Sequence, residues 1–473
     1  MTTELCALGV AELARRYRDK SVSPVEVTRA TLDRIATLHP KLNAFLTVLG
    51  DSALIAAEAA ERLFLAGIDL GPLQGVPFSV KDNIEVRGTR TTAASRQRLD
   101  APIDTEDAPV VRRLRQAGAV LVGKTNLHEF AAGVPERDGP FGWVQNPRKL
   151  GYQSGSSSSG AGAATASGQG VFALGTDTGG SIRLPALLCG TVGLKATYGR
   201  CSIRGIVPLS VYFDHVGPLT RSVADAAYAL NAIAGHDAAD PYSALAPVDD
   251  YVAALGRDIR GLRLGVPTNT FYRDAEPAIL TAYDGAIAAL RSRSLAVTEL
   301  VLPRVEEVPD ITQRLIHPDA CAYHEQYRGR EHLYAQSFRD FVLPGRERLA
   351  FDYVQARHTV AEITAAWRAL FERVDVLITP SSPVVAPLHD VWVVEVGGQK
   401  RNYRLEVGRF SRPWNLCGFP AIVLPSGVTA EGLPTSVQLV APPFAEGRLL
   451  AVAQALEQEL GMASRLGIDV RGD

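Results

Sequence analysis

Between Gly151 and Ser181 the chain carries nine glycines and seven serines around a single charged side chain, Asp177. A stretch of that composition is ordinarily a flexible linker. The flanks argue otherwise here, because small and apolar residues suited to close packing run on directly, Ala161 to Ser167 after the serine run and Phe172-Ala173-Leu174 before the second glycine cluster. Glycine adopts dihedrals that other residues avoid and lets two backbones approach closely. The segment therefore reads as packed chain that brings main-chain groups together, and the rest of the protein must fold around it.

That remainder alternates between helix and strand signals. Ser23-Pro24-Val25-Glu26 is a capping box with proline in the first turn, so a helix starts there, with Val27, Leu32 and Ile35 as its apolar stripe. His39-Pro40 is expected to stop it. A second helix is expected from about Asp51 to Ala66, closed by Gly67. Gly75 to Val80 reads as a short buried strand with Lys81-Asp82-Asn83 at its end, and Pro109 to Ala117 as a helix. The run Ala119-Val120-Leu121-Val122 suits a strand buried on both faces. Leu262 to Pro267, Val374 to Pro380 and Ala421 to Pro425 read as later strands, whereas residues 133–221 are expected to be mostly loop. The fold class is therefore α/β. A length of 473 residues alone suggests about three domains, but no repeat and no polar linker divides the chain. The expectation is one large domain with a twisted mixed β-sheet covered on both faces by helices.

Composition narrows the function classes. With 46% hydrophobic residues the chain can build a core, and a net charge of -2 gives no global field toward nucleic acid or anionic lipid. There is no basic segment followed by an apolar run at the N-terminus, and no apolar stretch near the ~20 residues needed to span a bilayer. The cysteines Cys6, Cys189, Cys201, Cys321 and Cys417 are scattered without any CxxC pair, so they read as small apolar filler rather than disulfides or metal ligands. A cytoplasmic protein without metal or organic cofactor, bound neither to nucleic acid directly nor to a membrane, is expected.

One motif misleads. Residues 118–125, GAVLVGKT, match the phosphate-loop pattern GxxxxGK[ST] letter for letter. A phosphate-cradling loop follows a strand and curls its amides around the anion. Here the four central residues are themselves the strand, so a P-loop NTPase is the remote alternative. The simpler reading has Gly123-Lys124-Thr125 ending the strand and opening a helix with Leu127, Phe130 and Ala131, and it makes Lys124→Ala mild.

The chemistry gathers elsewhere. Gly179-Gly180 before Ser181 lets successive backbone N–H groups converge beside a hydroxyl, which is what acyl transfer needs from a nucleophile and its oxyanion hole. No histidine lies between His128 and His215, and no GxSxG elbow exists, which points away from a Ser-His-Asp enzyme. Taken together, Val80-Lys81-Asp82-Asn83, the run Gly155-Ser156-Ser157-Ser158-Ser159-Gly160 and the block Gly175 to Pro185 resemble the amidase signature family. Gly193 to Arg200, Asp214 to Leu219, Asn415 to Ala421, Gly432-Leu433-Pro434 and Val437-Gln438-Leu439 are similar to its downstream core.

The resemblance implies a Ser–cis-Ser–Lys triad with Ser181 as nucleophile, Ser157 as the bridging serine and Lys81 as the ultimate base. Ser158 stands as the alternative bridge, because Ser156 and Ser159 replace the family's usual glycines. Lys81 serves only when neutral, which burial favours. The resemblance also implies an oxyanion hole from the amides of Thr178, Gly179, Gly180 and Ser181, with Asp177 and Arg183 bracing the loop. It divides the domain into N-terminal helices over 1–70, the signature core over 71–225, a variable substrate-determining region over 235–410 and a C-terminal part of the core over 411–460.

The implied activity is hydrolysis of an amide-type carbon–nitrogen bond. The substrate is expected to be a small amide, urea or carbamate, with an aryl group compatible with the aromatic residues of the variable segments. Specificity should sit in Pro135 to Gln153, about Ile311 to Glu347, and Trp392 to Trp414, with Trp143, Tyr152, Tyr323, Tyr327 and Trp414 as candidate pocket residues. The alternative is a glutamine-hydrolysing amidotransferase component that supplies ammonia to a tRNA-linked partner. A homodimer is also compatible with the sequence.

Overall fold

The computed structural model describes residues 2–471 other than Pro135 and Asp138. Pro135, the start of one expected specificity segment, thus lies outside the described residues. A single 11-stranded sheet runs through the chain. Its strands are β1 (Phe45–Val48), β2 (Pro77–Lys81), β3 (Val120–Thr125), β4 (Phe172–Asp177), β5 (Val192–Lys195), β6 (His215–Thr220), β7 (Arg263–Pro267), β8 (Ala296–Leu300) and β9 (Val376–Pro380). A separate hairpin, β10 (Val393–Val396) with β11 (Gln399–Asn402), precedes the last two sheet strands, β12 (Ala421–Val428) and β13 (Pro434–Val440). The spatial order is β1-β3-β2-β4-β6-β5-β12-β13-β9-β7-β8. Strands β2, β3 and β4 run parallel to each other, as do β7, β8 and β9, and antiparallel pairs join the two groups. Helices flank this mixed sheet, so the chain is a single α/β domain. Strands distant in sequence interleave in it, which is why length misjudges the domain count.

The largest apolar cluster lies against the sheet and joins Phe78, Val80, Leu174, Leu194, Leu439 and Leu450. A second cluster holds Phe130, Tyr334, Phe338, Trp367 and Trp414. Among the described residues no helix is long and apolar enough to cross a membrane.

Local expectations are corrected in three places. The capping box at Ser23 and Glu26 forms, but the helix runs from Pro24 to Leu42 with Pro40 inside it, and stops at Asn43 in the left-handed region, φ 52°. Pro40 gives up one backbone donor in the last turn, yet the helix continues past it, and left-handed Asn43 makes the actual stop. The N-terminal region is not helical throughout, because β1 is a sheet strand paired antiparallel to β3. No helix follows β3: Phe130 (φ 44°) and Ala131 (φ 62°) are left-handed, which breaks any helix there. Residues 133–221 are mostly loop, as expected, but that loop is threaded by three sheet strands and by the helices Ser159–Ala166 and Arg183–Cys189, which the sequence does not announce. Their small residues hide the usual hydrophobic periodicity.

Candidate active site

Strands β2 and β4 are parallel neighbours, paired at Phe78↔Phe172, Ser79↔Ala173 and Val80↔Leu174. Their C-terminal ends therefore meet at one edge of the sheet, the usual place for a site in α/β folds. Lys81 ends β2, and Thr176 and Asp177 end β4. The serine run enters the helix Ser159–Ala166 above them, and the Gly179-Gly180-Ser181 turn leads into the helix Arg183–Cys189. Gly155 makes the close approach possible. Its φ is 89°, and a Cβ there would lie 2.6 Å from Pro185 Cα.

Lys81 is fully buried. Its Nζ donates to Ser157 Oγ at 2.8 Å and to Thr176 Oγ1 at 2.8 Å. Burial drives its pKa down to about 7, against a counter-pull from Asp214 and Asp177. The peptide between Ser156 and Ser157 is cis. Ser158, the alternative bridge, instead donates its hydroxyl to the Thr176 carbonyl at 3.2 Å, so geometry separates the two serines. The Ser158 amide donates to the Ser181 carbonyl at 3.3 Å, which ties the Gly179-Gly180-Ser181 turn to the serine run. The Ser181 side chain lines the cavity and makes no hydrogen bond among the described residues.

Asp177 anchors the turn. Its carboxylate accepts from the Gly180 amide at 2.7 Å, from Ile182 N at 3.2 Å and from Asn415 Nδ2 at 2.7 Å. It also pairs with Arg183 Nε at 3.0 Å, both side chains being fully buried. Burial alone would raise this carboxyl, but the Arg183 guanidinium and the Asn415 amide outweigh it and hold the group well below the carboxylate range. This corrects one expectation, because the Gly180 amide is spent on Asp177. Of the four expected donors, this leaves the amides of Thr178, Gly179 and Ser181. Gly180 keeps a structural need: φ is 123°, and a Cβ would sit 2.9 Å from Ser411 Cβ.

Three contributors escaped the sequence reading although each lies in a quoted block. Thr176 shares the Lys81 ammonium. Asn415 braces Asp177. Asp214 accepts the Thr178 hydroxyl, and burial raises its carboxyl to about 6. His128 also lines the cavity, but burial lowers it to about 3, so its imidazole is too weak a base to hold a proton near pH 7.

Ser181 opens onto a cavity of about 320 Å³, within the size range of small-molecule sites. Its walls come from the expected specificity segments, through Gln153, Ile316, Phe341, Trp392, Tyr403 and Arg404. The expected aromatic residues themselves lie elsewhere. Trp143 stacks on His389 (centroids 4.7 Å apart) and lines an adjoining recess of about 20 Å³. Tyr152 lies under Lys149, with Nζ 4.9 Å from the ring centroid. Tyr323 and Tyr327 pack against His324, and Trp414 is buried against Trp367 at 5.5 Å. Large rings fill the core as readily as they line a pocket, and sequence does not separate the two. Lys124 is buried in β3, with its Nζ 2.8 Å from Asp82 Oδ1, so the phosphate-loop pattern is a paired strand.

Comparison with known proteins agrees with this geometry. Residues 26–450 match the Amidase family. The chain is 36% identical over 484 residues to a glutamyl-tRNA(Gln) amidotransferase subunit from Geobacter metallireducens, covering 96% of this chain and 98% of that one. The corresponding Moorella thermoacetica protein is 38% identical, with coverage of 96% and 97%. Among solved structures, a chain from a vestigial protein complex linked to the evolutionary origins of an s-triazine catabolic enzyme superposes with a TM-score of 0.92 at 32% identity, covering 96% and 99%. A glutamyl-tRNA(Gln) amidotransferase subunit from Thermotoga maritima gives 0.79 at 30%, covering 96% and 95%. Fold and relatives define a hydrolase of carbon–nitrogen bonds. The chain belongs to the amidase signature family.

Proposed function

We propose that the chain cleaves an amide-type C–N bond through an acyl-enzyme on Ser181. Neutral Lys81 takes the proton of Ser157 as Ser157 takes that of Ser181, and the Ser181 oxygen adds to the substrate carbonyl. The amides of Thr178, Gly179 and Ser181 receive the developing oxyanion. The proton returns through Ser157 to the leaving nitrogen, and water then releases the acyl group by the same relay in reverse. The observation that carries this reading is the 2.8 Å contact between Ser157 Oγ and a lysine buried enough to titrate near neutrality. Intact-mass detection of an acyl adduct on Ser181, lost in Ser181→Ala, tests it. Full turnover by Ser181→Ala or Lys81→Ala would overturn it.

Two substrates fit this chemistry. The relatives matched over 96% of the chain support glutamine, with the chain supplying ammonia within a tRNA-linked amidotransferase in the cytoplasm. The cavity of about 320 Å³ supports a small free amide, urea or carbamate. Assaying the purified chain on glutamine and on a panel of small amides separates them. Turnover of the panel without partners favours the second, and inactivity until partner proteins are added favours the first.

A further inference from the structure

The segment from Arg401 to Arg412 holds four arginines, Arg401, Arg404, Arg409 and Arg412. Two are neutralised away from the nucleophile. Arg401 pairs with Asp274 at 2.6 Å, and Arg409 pairs with Asp274 at 2.9 Å and with Glu406 at 3.0 Å. Arg404 and Arg412 are the two that line the cavity. Among the described residues no carboxylate comes within ion-pair distance of either. Their hydrogen bonds go to backbone carbonyls: Arg404 to Ala132 at 2.8 Å, and Arg412 to Leu405 at 2.5 Å and Arg404 at 2.9 Å. A guanidinium has five N–H donors, so most of this capacity is unspent.

Carbonyls orient a guanidinium but do not neutralise it, and a desolvated cation without a counter-charge is costly. Burial accordingly lowers Arg412 to about 10, and the neighbouring Arg404 and Arg409 add to that pull against Glu406. Among the described residues Asp340 is the one acidic side chain on the cavity wall, and it is exposed. Arg412 also runs beside the nucleophile turn, since a Cβ placed on Gly179 would lie 3.6 Å from Arg412 Cγ.

We infer that Arg404 and Arg412 form an anion subsite of the active-site cavity, and that the substrate is an amide or urea that also carries a carboxylate. The inference rests on the hydrolase reading only in calling the ligand a substrate. Paired guanidinium groups suit a carboxylate because their planar forks present parallel donors to its two oxygens. Glutamine and the half-amides of dicarboxylic acids belong to this class, whereas neutral aryl and aliphatic amides do not.

The test uses binding, so it stands whether or not the chain hydrolyses the probe. Glutarate monoamide and its methyl ester are titrated calorimetrically into the full-length Ser181→Ala protein. The acid should bind at least about tenfold more tightly than the ester, as a charge-assisted contact requires. Arg404→Gln and Arg412→Gln should each shrink that preference, and Arg404→Lys should restore part of it to the Arg404 site. Equal or weaker binding of the acid overturns the inference, as does an unchanged preference in the glutamine variants that retain the native circular dichroism spectrum. Absence of an acyl adduct on wild-type Ser181 would instead count against the hydrolase reading and leave the binding result standing.

Discussion

Lys81 Nζ lies 2.8 Å from Ser157 Oγ in a site with no solvent access to the amine. A base must be neutral to accept a proton, and burial lowers this lysine to about 7. The kcat/KM profile should therefore rise with pH through about 7 and level off above it. Lys81→Ala should lower kcat by about 10²–10⁴-fold. Lys81→Arg should be as poor, because arginine stays protonated. A pH–rate series on the three proteins checks this, and an active Lys81→Arg would show that charge alone suffices.

Asp177 and Arg183 are a fully buried pair that also fixes the Gly180 amide. Asp177→Asn leaves Arg183 buried without its counter-charge, so stability at pH 7 should fall by about 3–5 kcal/mol, measured by urea unfolding. The folded carboxyl lies below its ordinary value of 3.8. Its contribution is therefore complete above that value and is lost as pH falls through the folded pKa. The gap between wild type and variant should narrow only under strongly acidic conditions.

Trp414 and Phe341 separate core from cavity. Trp414 is completely buried against Trp367, so Trp414→Ala should cost about 3–5 kcal/mol. Phe341 is half-buried on the cavity wall, edge-on to His317 at 4.8 Å. Phe341→Ala should change stability much less, raise KM for small substrates and ease entry of bulkier ones. Unfolding curves beside a substrate-size series distinguish the two outcomes.

Much of the site is visible in the sequence because its residues fall in short blocks with unusual local chemistry. The fold class follows from apolar runs such as Val120-Leu121-Val122, which only a doubly covered strand explains. The glycine-serine stretch reads as rigid for a physical reason that the structure makes explicit, namely that Pro185 and Ser411 leave no room for a Cβ at Gly155 or Gly180. The segments that wall the pocket were legible, but the individual residues that line it were not. Tyr327 and Phe341 are both aromatic residues in one variable segment, and only tertiary packing sends the first into the core and the second to the cavity. Nor was the fate of the Gly180 amide, since Asp177 takes it from three residues away. The arginines of 401–412 look alike in sequence, and Asp274, more than a hundred residues earlier, decides which two are neutralised.

Lys124 carries the last prediction. The sequence reading makes Lys124→Ala mild, on the view that this lysine merely ends a strand. In the structure its Nζ lies 2.8 Å from Asp82 Oδ1 and 2.6 Å from Thr91 Oγ1, with the lysine and aspartate side chains 0% and 1% exposed. Burial already pushes the Asp82 carboxyl upward, and Lys124 is the main opposing influence. Removing the lysine strands Asp82 as an unpaired buried acid one residue from Lys81. Lys124→Ala should therefore lose about 3–5 kcal/mol of stability, while Lys124→Ala,Asp82→Leu should recover part of it, because replacing a whole buried pair costs less than breaking one. Nucleotide should leave the melting temperature of wild type unchanged. A nucleotide-dependent rise in wild type that vanishes in Lys124→Ala would instead return the phosphate-loop reading.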